Sequence, residues 1–253
     1  MHARMPGVAN GAHVVREFTN VLADALAQVA ADILLGVVLH GSAVLGDWSS
    51  PASDVDVLVV VDDGISTSAA EKLSAGLSVD RACPGAGLEV SVVHARAALN
   101  PTAPWPFVLH ATTGRAGEKL VWGSALGGDA DLILHYAIAR EYGWSAYGPD
   151  PRTVFGPIPE SVIADRLVTE LRWAVDHAGA PYAILNACRA LRYRDERMLC
   201  SKTAAANWAL LQDLQPALVR GALDARRAGL SAPMTGAAAE WVLSVAADLD
   251  RPA

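Results

Sequence analysis

Two patterns of hydrophobic and polar positions occur along the chain, short apolar runs and apolar residues at helical spacing. The first half contains both patterns, which predict a layer of strands and helices. Three short apolar runs, at 33–39, 54–61 and 88–93, predict buried β-strands. A helix is predicted from Ser66 to about residue 78, since serine is a common helix cap. Another is predicted over 12–31, where apolar residues recur at helical spacing. These apolar residues form a stripe along the predicted helix and are Val14, Phe18, Val21, Leu22, Ala25 and Val29. This order of elements predicts a small α/β layer.

The second half carries a helical pattern only. Residues 129–143 have helical composition, whereas 147–159 are rich in Gly and Pro and cannot form one regular element. We therefore predict a boundary there, with an α/β domain over 1–157 and an α-helical bundle over 158–253. Five further segments of helical composition follow the boundary: 160–178, 181–198, 202–214, 216–228 and 236–249.

Composition and charge narrow the class of partner. The chain is 52% hydrophobic and 19% charged, as in compact globular proteins. Residues 1–157 hold 16 acids against 9 Lys and Arg, whereas residues 158–253 hold 11 of each, so the first region carries the whole net charge of −7. This balance disfavours nucleic-acid binding, which depends on basic contacts to phosphates. It suits a cationic small substrate, and a solvated acidic surface without a partner is the alternative.

The expected compartment is the cytoplasm. No apolar run approaches the roughly 20 residues of a membrane span, and the N-terminal residues lack the apolar core of a signal peptide. The three cysteines are odd in number and unevenly spaced, which fits neither a disulfide framework nor a metal site. We expect no membrane partner.

Two carboxylates stand at the start of the most β-branched run. Because side chains alternate along a strand, Asp54 and Asp56 share one face, about 7 Å apart. Together they can bind a hard divalent cation. Without a cation the pair is costly, since like charges resist ionisation. A solvated strand edge is the alternative.

A third acid lies at the start of the strand over 88–93. Glu89 and Ser91 share a face there, and the opposite face is apolar. If this strand neighbours that over 54–61, Glu89 can face Asp54 and Asp56, and the three acids would form a Mg²⁺ site. An exposed glutamate without a role is the alternative.

A Gly-Ser pair follows the first strand. Gly41 allows the backbone to approach a ligand closely, and the Ser42 hydroxyl can donate to a phosphate oxygen. If a helix begins at Ala43, its N–H groups face a bound anion. A phosphate beside carboxylate-held Mg²⁺ indicates a nucleoside triphosphate site. A plain turn is the alternative, although strand, Gly-Ser, Asp-x-Asp strand and a later acidic strand rarely combine by chance.

These residues resemble a known family. The stretch "HGSAVLGDWSSPASDVDVLVVV" resembles the Gly-Ser…Asp-x-Asp signature of the DNA-polymerase-β-like nucleotidyltransferases. The segments "LEVSVV", "GGDADLILHYAIAREYGWSAYGPDPRTVFGPIP" and "LNACRALRYRDERMLCSKTAAANWALL" are similar, in the same order, to streptomycin/spectinomycin adenylyltransferases. The likeness spans roughly 35–230. It implies a nucleotidyltransferase domain with a small mixed sheet and helices, followed by a helical domain that binds substrate and ATP.

The resemblance also implies an activity. Enzymes of this family transfer AMP from ATP to a hydroxyl of an aminocyclitol antibiotic and release pyrophosphate, which confers antibiotic resistance. By that analogy Asp54 and Asp56 bind Mg²⁺. By the same analogy Glu89 is the catalytic base and also contacts the metal ion and the substrate. Gly41, Ser42 and Ser53 would contact ATP together with the two aspartates.

The analogy assigns roles in the helical domain as well. Arg189 and Lys202 match cations of the family that reach the ATP phosphates. A Trp followed by an Asp in this domain is associated with streptomycin use, and Trp173 and Asp176 resemble that pair. We expect a monomer that binds ATP and a cationic antibiotic. The alternatives are a regulatory or antitoxin-type nucleotidyltransferase that modifies protein or RNA, and a binding module without activity.

Overall fold

A computed structural model describes residues 6–50, 52–77, 83–113 and 119–250. The chain divides into two compact units, of which the first ends at Ile158 and the second begins at Pro159. This division falls one residue after the boundary that the Gly- and Pro-rich segment predicts. No helix in the described ranges is long and apolar enough to cross a membrane.

The described residues of the first unit are built on a six-stranded mixed sheet, which confirms the predicted fold class. Its strand order is β5-β4-β3-β2-β1-β6. Among the strands of the described residues, β2 and β3 pair in parallel, and the other four neighbouring pairs are antiparallel. The strands are β1 (Leu34–Leu39), β2 (Val55–Val61), β3 (Leu88–His94), β4 (Leu109–Thr112), β5 (Lys119–Trp122) and β6 (Trp144–Tyr147). The four-residue strands β4, β5 and β6 were not predicted from the sequence.

Helices flank this sheet. Ser66 caps the crossover helix between β2 and β3 by accepting a hydrogen bond from the Ala69 N–H, as predicted. That helix ends at Gly76, and residue 78, the predicted end, lies outside the described residues. The helices of the unit are α1 (Pro6–Ala30), α2 (Thr67–Gly76), α3 (Ala95–Leu99), α4 (Gly123–Leu126), α5 (Leu132–Tyr142) and α6 (Pro151–Val154).

Strand β2 is buried on both faces, which explains its unbroken apolar run. One face carries Val55, Val57, Val59 and Val61, which join a core with Phe18, Leu22 and Leu26 of α1. The other face carries Leu58 and Val60, which pack with Tyr136 of α5 and Phe155. The strand is therefore fixed in register, since a shift by one residue would exchange its two faces. This rigidity holds the acids at its start in place.

The predicted apolar stripe of α1 is partly wrong. Phe18 and Leu22 are buried as expected, but Val14, Val21 and Val29 are exposed. The buried stripe also contains Val15 and Leu26. The helix is rich in alanine and valine all around, so two overlapping stripes fit the helical period, and packing on the sheet selects one of them.

Over its described residues, 159–250, the second unit is a bundle of five helices, as predicted. Helix α8 packs against all four of the others, and most of its side chains are buried. Small residues along α8, mainly alanine, allow its neighbours to approach closely. The helices are α7 (Glu160–His177), α8 (Ala180–Glu196), α9 (Lys202–Leu211), α10 (Pro216–Arg227) and α11 (Gly236–Leu249). Polar side chains on this central helix are therefore held by rigid backbone.

Candidate active site

The parallel pairing of β2 and β3 brings two of the predicted acids together. Asp56 and Glu89 are directly paired across these strands. Both stand at the beginnings of their strands, and parallel strands begin at the same edge of a sheet. The condition that the two strands are neighbours is thus met. Asp54 lies just before β2 and is exposed, whereas Asp56 and Glu89 are partly buried.

Gly41 lies directly against the Asp56 carboxylate. A Cβ atom added at Gly41 would overlap the Asp56 side chain, and the Gly41 φ angle is +64°, in the left-handed region. The His40 N–H donates to the Asp56 carbonyl oxygen at 2.9 Å, which fixes the backbone on both sides of this contact. The glycine of the Gly-Ser pair is therefore required to make room for an acid.

The described residues that follow the Gly-Ser pair do not begin an α-helix at Ala43. Residues Gly41–Ala43 form a single 3₁₀ turn. The chain then continues as a loop through Gly46, whose φ angle is +71°. A hydrogen bond from Trp48 Nε1 to the Asp54 carbonyl oxygen, 3.0 Å long, holds this loop against the start of β2. The residues after Gly41 thus form turns, so the condition of a helix that begins at Ala43 is not met.

The two predicted serines lie in this loop region. Ser53 Oγ accepts a hydrogen bond from the Ser49 N–H at 3.2 Å, so it shapes the turn that leads to Asp54. Ser42 is partly buried within the 3₁₀ turn. Contacts of either hydroxyl with a triphosphate stay a prediction.

Three aspartates and one histidine act electrostatically on Glu89. Its partial burial raises the pKa of the Glu89 carboxyl, the positive charge of His135 opposes that rise, and Asp54, Asp131 and Asp129 raise it further. A carboxyl group with a raised pKa is a better proton acceptor than an ordinary surface glutamate. The electrostatics therefore favour a base at this position.

A histidine on β4 lies beside Glu89. His110 Nε2 is 4.0 Å from Glu89 Oε1 and 3.0 Å from Thr112 Oγ1. Its Nδ1 is 3.0 Å from Ser91 Oγ, on the same face of β3 as Glu89. Burial lowers the pKa of His110. These two hydroxyl contacts fix the ring orientation next to the candidate base.

A pair of histidines links the Gly-Ser turn to α5. The rings of His40 and His135 lie with their centroids 4.9 Å apart. His40 is fully buried, and burial, followed by the charge of His135, lowers its pKa well below the usual value. Helix α5 thereby packs directly on the turn that carries Gly41.

The donor chemistry of Asp54 and Asp56 fits a hard cation. Both residues offer carboxylate oxygens, which Mg²⁺ prefers. Within the part of the chain that the structure describes, no group of three or more His, Cys, Asp or Glu side chains is arranged to hold a metal ion. Mg²⁺ commonly takes one or two carboxylates and completes its shell with water and substrate phosphates. Two aspartates therefore fit the ion, and Glu89 as a third ligand stays a prediction.

The predicted cations of the helical unit lie on α8 and at the start of α9. Arg189 Nε donates to the Cys200 carbonyl oxygen at 3.0 Å, and its Nη1 donates to Asn186 Oδ1 at 3.2 Å. Lys202 is the first residue of α9, and its Nζ lies 4.1 Å from the centroid of the Tyr182 ring. Both side chains are thus held by specific contacts rather than extended from a surface.

The predicted acceptor residues lie on α7. Trp173 is about half exposed and stacks on His177, with ring centroids 5.3 Å apart. Its ring also meets the Tyr182 ring edge-on at 6.3 Å. Asp176 is exposed. A role for either residue in substrate binding stays a prediction.

Comparison with protein families decides the class of the chain. Residues 23–84 match the nucleotidyltransferase domain, and residues 153–248 match the C-terminal domain of aminoglycoside adenylyltransferases. The two matched regions together span more than half of the chain. The chain belongs to the aminoglycoside adenylyltransferase family. It is therefore a nucleotidyltransferase, with the acids of β2 in the matched nucleotidyltransferase region.

A solved structure shares this fold. The spectinomycin adenyltransferase AAD(9) from Enterococcus faecialis, crystallised with ATP and spectinomycin, is similar with a TM-score of 0.68 and 18% sequence identity. The likeness covers 93% of this chain and 99% of that one. No curated protein matches the chain at a significant level.

Several residues around Glu89 were missed by sequence reasoning. Asp129 and Asp131 form a second Asp-x-Asp at the start of α5, a signal that the sequence did contain. His110 and His135 gave no such signal, because single histidines are ordinary in strands and helices. Their place in this adenylyltransferase depends on β4 and α5 packing beside β3 and the Gly-Ser turn.

Proposed function

We propose that the chain transfers AMP from ATP to a hydroxyl of a cationic aminocyclitol antibiotic, of the streptomycin or spectinomycin class, with release of pyrophosphate. The observation that carries the proposal is the pairing of Glu89 with Asp56 across β2 and β3, beside the Gly41 turn. The match of residues 153–248 to the C-terminal domain of aminoglycoside adenylyltransferases supports this class of acceptor.

The proposed chemistry uses Glu89 as the base. Glu89 accepts the proton of the acceptor hydroxyl as its oxygen forms a bond to the α-phosphorus of ATP. The bond between the α-phosphorus and the oxygen that bridges to the β-phosphorus breaks, and pyrophosphate leaves with the electron pair. The raised pKa of Glu89 supports this role, because a base acts best when its pKa lies near the working pH.

Asp54 and Asp56 would hold Mg²⁺ in this reaction. When bound, Mg²⁺ neutralises charge on the phosphates and orients them. The two aspartates supply the oxygen ligands, and Gly41 leaves the space in which the Asp56 carboxylate keeps its orientation. Ser42 and Ser53 would position the triphosphate from the adjoining loop.

The charge around Glu89 supports a cationic acceptor. Asp54, Asp129 and Asp131 all act on the Glu89 carboxyl as negative charges. His135 acts on this carboxyl in the opposite direction. Carboxylates near the site attract the ammonium or guanidinium groups of an aminocyclitol and raise its local concentration. AAD(9), which shares the fold, was crystallised with spectinomycin, and we propose spectinomycin as the first acceptor to test, with streptomycin as the second.

Pyrophosphate release tests the proposal. The protein is incubated with ATP and Mg²⁺ against a panel of aminocyclitols and aminoglycosides, with each acceptor omitted in turn. We expect release that depends on spectinomycin, streptomycin or both. Release that is the same with and without every antibiotic would contradict the proposed acceptor class and favour a protein or RNA target.

Replacing Gly41 with alanine is expected to abolish Mg-ATP binding and to destabilise the fold. The added Cβ overlaps the Asp56 carboxylate and forces it to move. The positive φ angle adds about 1–2 kcal/mol of strain. Calorimetric titration with Mg-ATP and thermal unfolding measure the two effects separately.

Gly46→Ala is the matched control for this variant. Gly46 also has a positive φ angle, +71°, but nothing lies within 4 Å of an added Cβ. Both variants should therefore carry similar backbone strain, while only Gly41→Ala loses the nucleotide. Equal Mg-ATP affinity in the two variants would show that the Gly41–Asp56 contact has no role in binding.

Replacing Lys202 with alanine is expected to weaken ATP binding. A charge-assisted hydrogen bond to a phosphate contributes about 1.5–3 kcal/mol, which would be lost. Arg220→Ala is the control, because it removes an exposed cation from α10 of the same unit. If Lys202→Ala and Arg220→Ala bind ATP equally well in calorimetry, Lys202 does not contact the phosphates.

A further inference from the structure

A line of polar contacts in the helical unit ends at Lys202. Arg166 and Glu170, one turn apart on α7, form an ion pair at 2.7 Å, and their side chains are only 10% and 12% exposed. The Tyr182 hydroxyl donates to the other carboxylate oxygen of Glu170 at 2.6 Å. The Lys202 ammonium lies 4.1 Å from the centre of the same tyrosine ring.

Each of these contacts limits the movement of the next side chain along the line. A largely buried ion pair fixes the Glu170 carboxylate, because neither partner can leave without exposing an uncompensated charge to the interior. The carboxylate then fixes the Tyr182 ring through a short hydrogen bond. An aromatic ring attracts an ammonium group through its quadrupole and carries no charge of its own. The ring contact therefore restricts Lys202 without itself cancelling the charge of the lysine.

Tyr182 also lies close to the other predicted phosphate ligand. Burial raises the pKa of Tyr182, the hydrogen bond to Glu170 raises it further, and the positive charge of Arg189 opposes that rise. Tyr182 and Arg189 are seven residues apart on α8 and so lie on the same side of that helix. Tyr182 thus contacts Lys202 and lies on the same side of α8 as Arg189.

We propose that Tyr182, held by Glu170, is a positioning residue that orients Lys202 toward the triphosphate of ATP. The proposal rests on the proposed function, in which Lys202 binds a phosphate. A lysine side chain is a flexible stem with a point charge, so its contribution to binding depends on how far it is ordered beforehand. A lysine at the first position of a helix is also disfavoured by the helix dipole, and the ring contact offsets that cost.

Two variants of Tyr182 distinguish the contribution of its ring to ATP binding from that of its hydroxyl group. Tyr182→Leu removes the ring and should raise the KM for ATP by about 2- to 30-fold, the range of a cation–π contact. Tyr182→Phe keeps the ring but loses its hydrogen bond to Glu170, so a smaller increase is expected. The KM for the antibiotic should stay unchanged in Tyr182→Phe, which keeps the ring that Trp173 meets edge-on. Tyr147→Leu is the control, because Tyr147 is as exposed as Tyr182, at 38%, and lies in the other unit.

A double-mutant cycle with Lys202→Ala tests the mechanism. If Tyr182 acts through Lys202, Tyr182→Leu has no further effect on the KM for ATP once Lys202 is alanine. A full additional increase in that background would show a merely structural role and overturn the proposal. If Lys202→Ala weakens ATP binding and Tyr182→Leu does not, the positioning role alone is overturned. If Lys202→Ala itself leaves ATP binding unchanged, the phosphate role of Lys202 and this proposal both fail.

Discussion

Asp56→Asn should reduce nucleotidyl transfer by at least about 10³-fold while the protein stays folded, since a bound metal ion supplies several kcal/mol of transition-state stabilisation. Asp56 pairs with Glu89 across two buried strands, and its carboxylate lies in the space that Gly41 leaves open. Asparagine has the same size and keeps one oxygen, so the packing survives while the charge that holds Mg²⁺ is lost. Turnover, thermal unfolding and Mg-ATP titration are measured on the same preparation.

Asp62→Asn is the control for this change. Asp62 follows the opposite end of β2, where its carboxylate accepts a hydrogen bond from the Gly64 N–H. This variant makes the same chemical change next to the same strand and should keep its turnover. Full turnover and unchanged Mg-ATP affinity in Asp56→Asn would rule out the metal assignment.

Glu89→Gln is expected to keep ATP and acceptor binding but to lose turnover by roughly 10²- to 10⁴-fold, the usual contribution of a positioned base. Glutamine keeps the length and the hydrogen-bonding reach of the side chain and removes its basicity. Within β3 the face opposite Glu89 already packs in the core through Leu88, Val90 and Val92, so the charge is not needed for folding.

Binding and single-turnover kinetics on the same variant distinguish two roles of Glu89. If Glu89 acts only as a base, the Glu89→Gln variant should keep its Mg-ATP affinity and have a slow chemical step. If Glu89 is a metal ligand, the Mg-ATP affinity and the rate of the chemical step should fall together in this variant. Glu71→Gln, an exposed change on α2, is the control and should behave like the unmodified protein. Unmodified turnover in Glu89→Gln would remove this residue from the mechanism.

The sequence was sufficient for the elements that bury long apolar runs. Strands β1, β2 and β3 and the five helices of the second unit lie within a few residues of their predicted bounds. The strands β4, β5 and β6 were missed because four residues are too few to show a period. The exposed face of α1 was misassigned because valines stand on both of its sides, and only packing on the sheet decides between them.

The candidate site was predictable where charge interrupts an apolar pattern. Asp54, Asp56 and Glu89 stand out because buried strands rarely begin with acids. The histidines around them could not be predicted, since His110 reaches Glu89 only because β4 pairs antiparallel with β3 in one register. Helix α5 likewise brings His135 to the Gly-Ser turn through its packing, which no local pattern encodes.

The destination of the adenylyl group tests the central claim most directly. The protein is incubated with Mg²⁺ and ATP labelled at its α-phosphate, first with spectinomycin and then with streptomycin, and the products are separated and weighed by mass spectrometry. We predict that the label moves to an antibiotic, which gains one adenylyl group, and that Glu89→Gln slows this transfer by roughly 10²- to 10⁴-fold. Label that appears on protein or RNA, or that stays in ATP with both antibiotics, would contradict the claim.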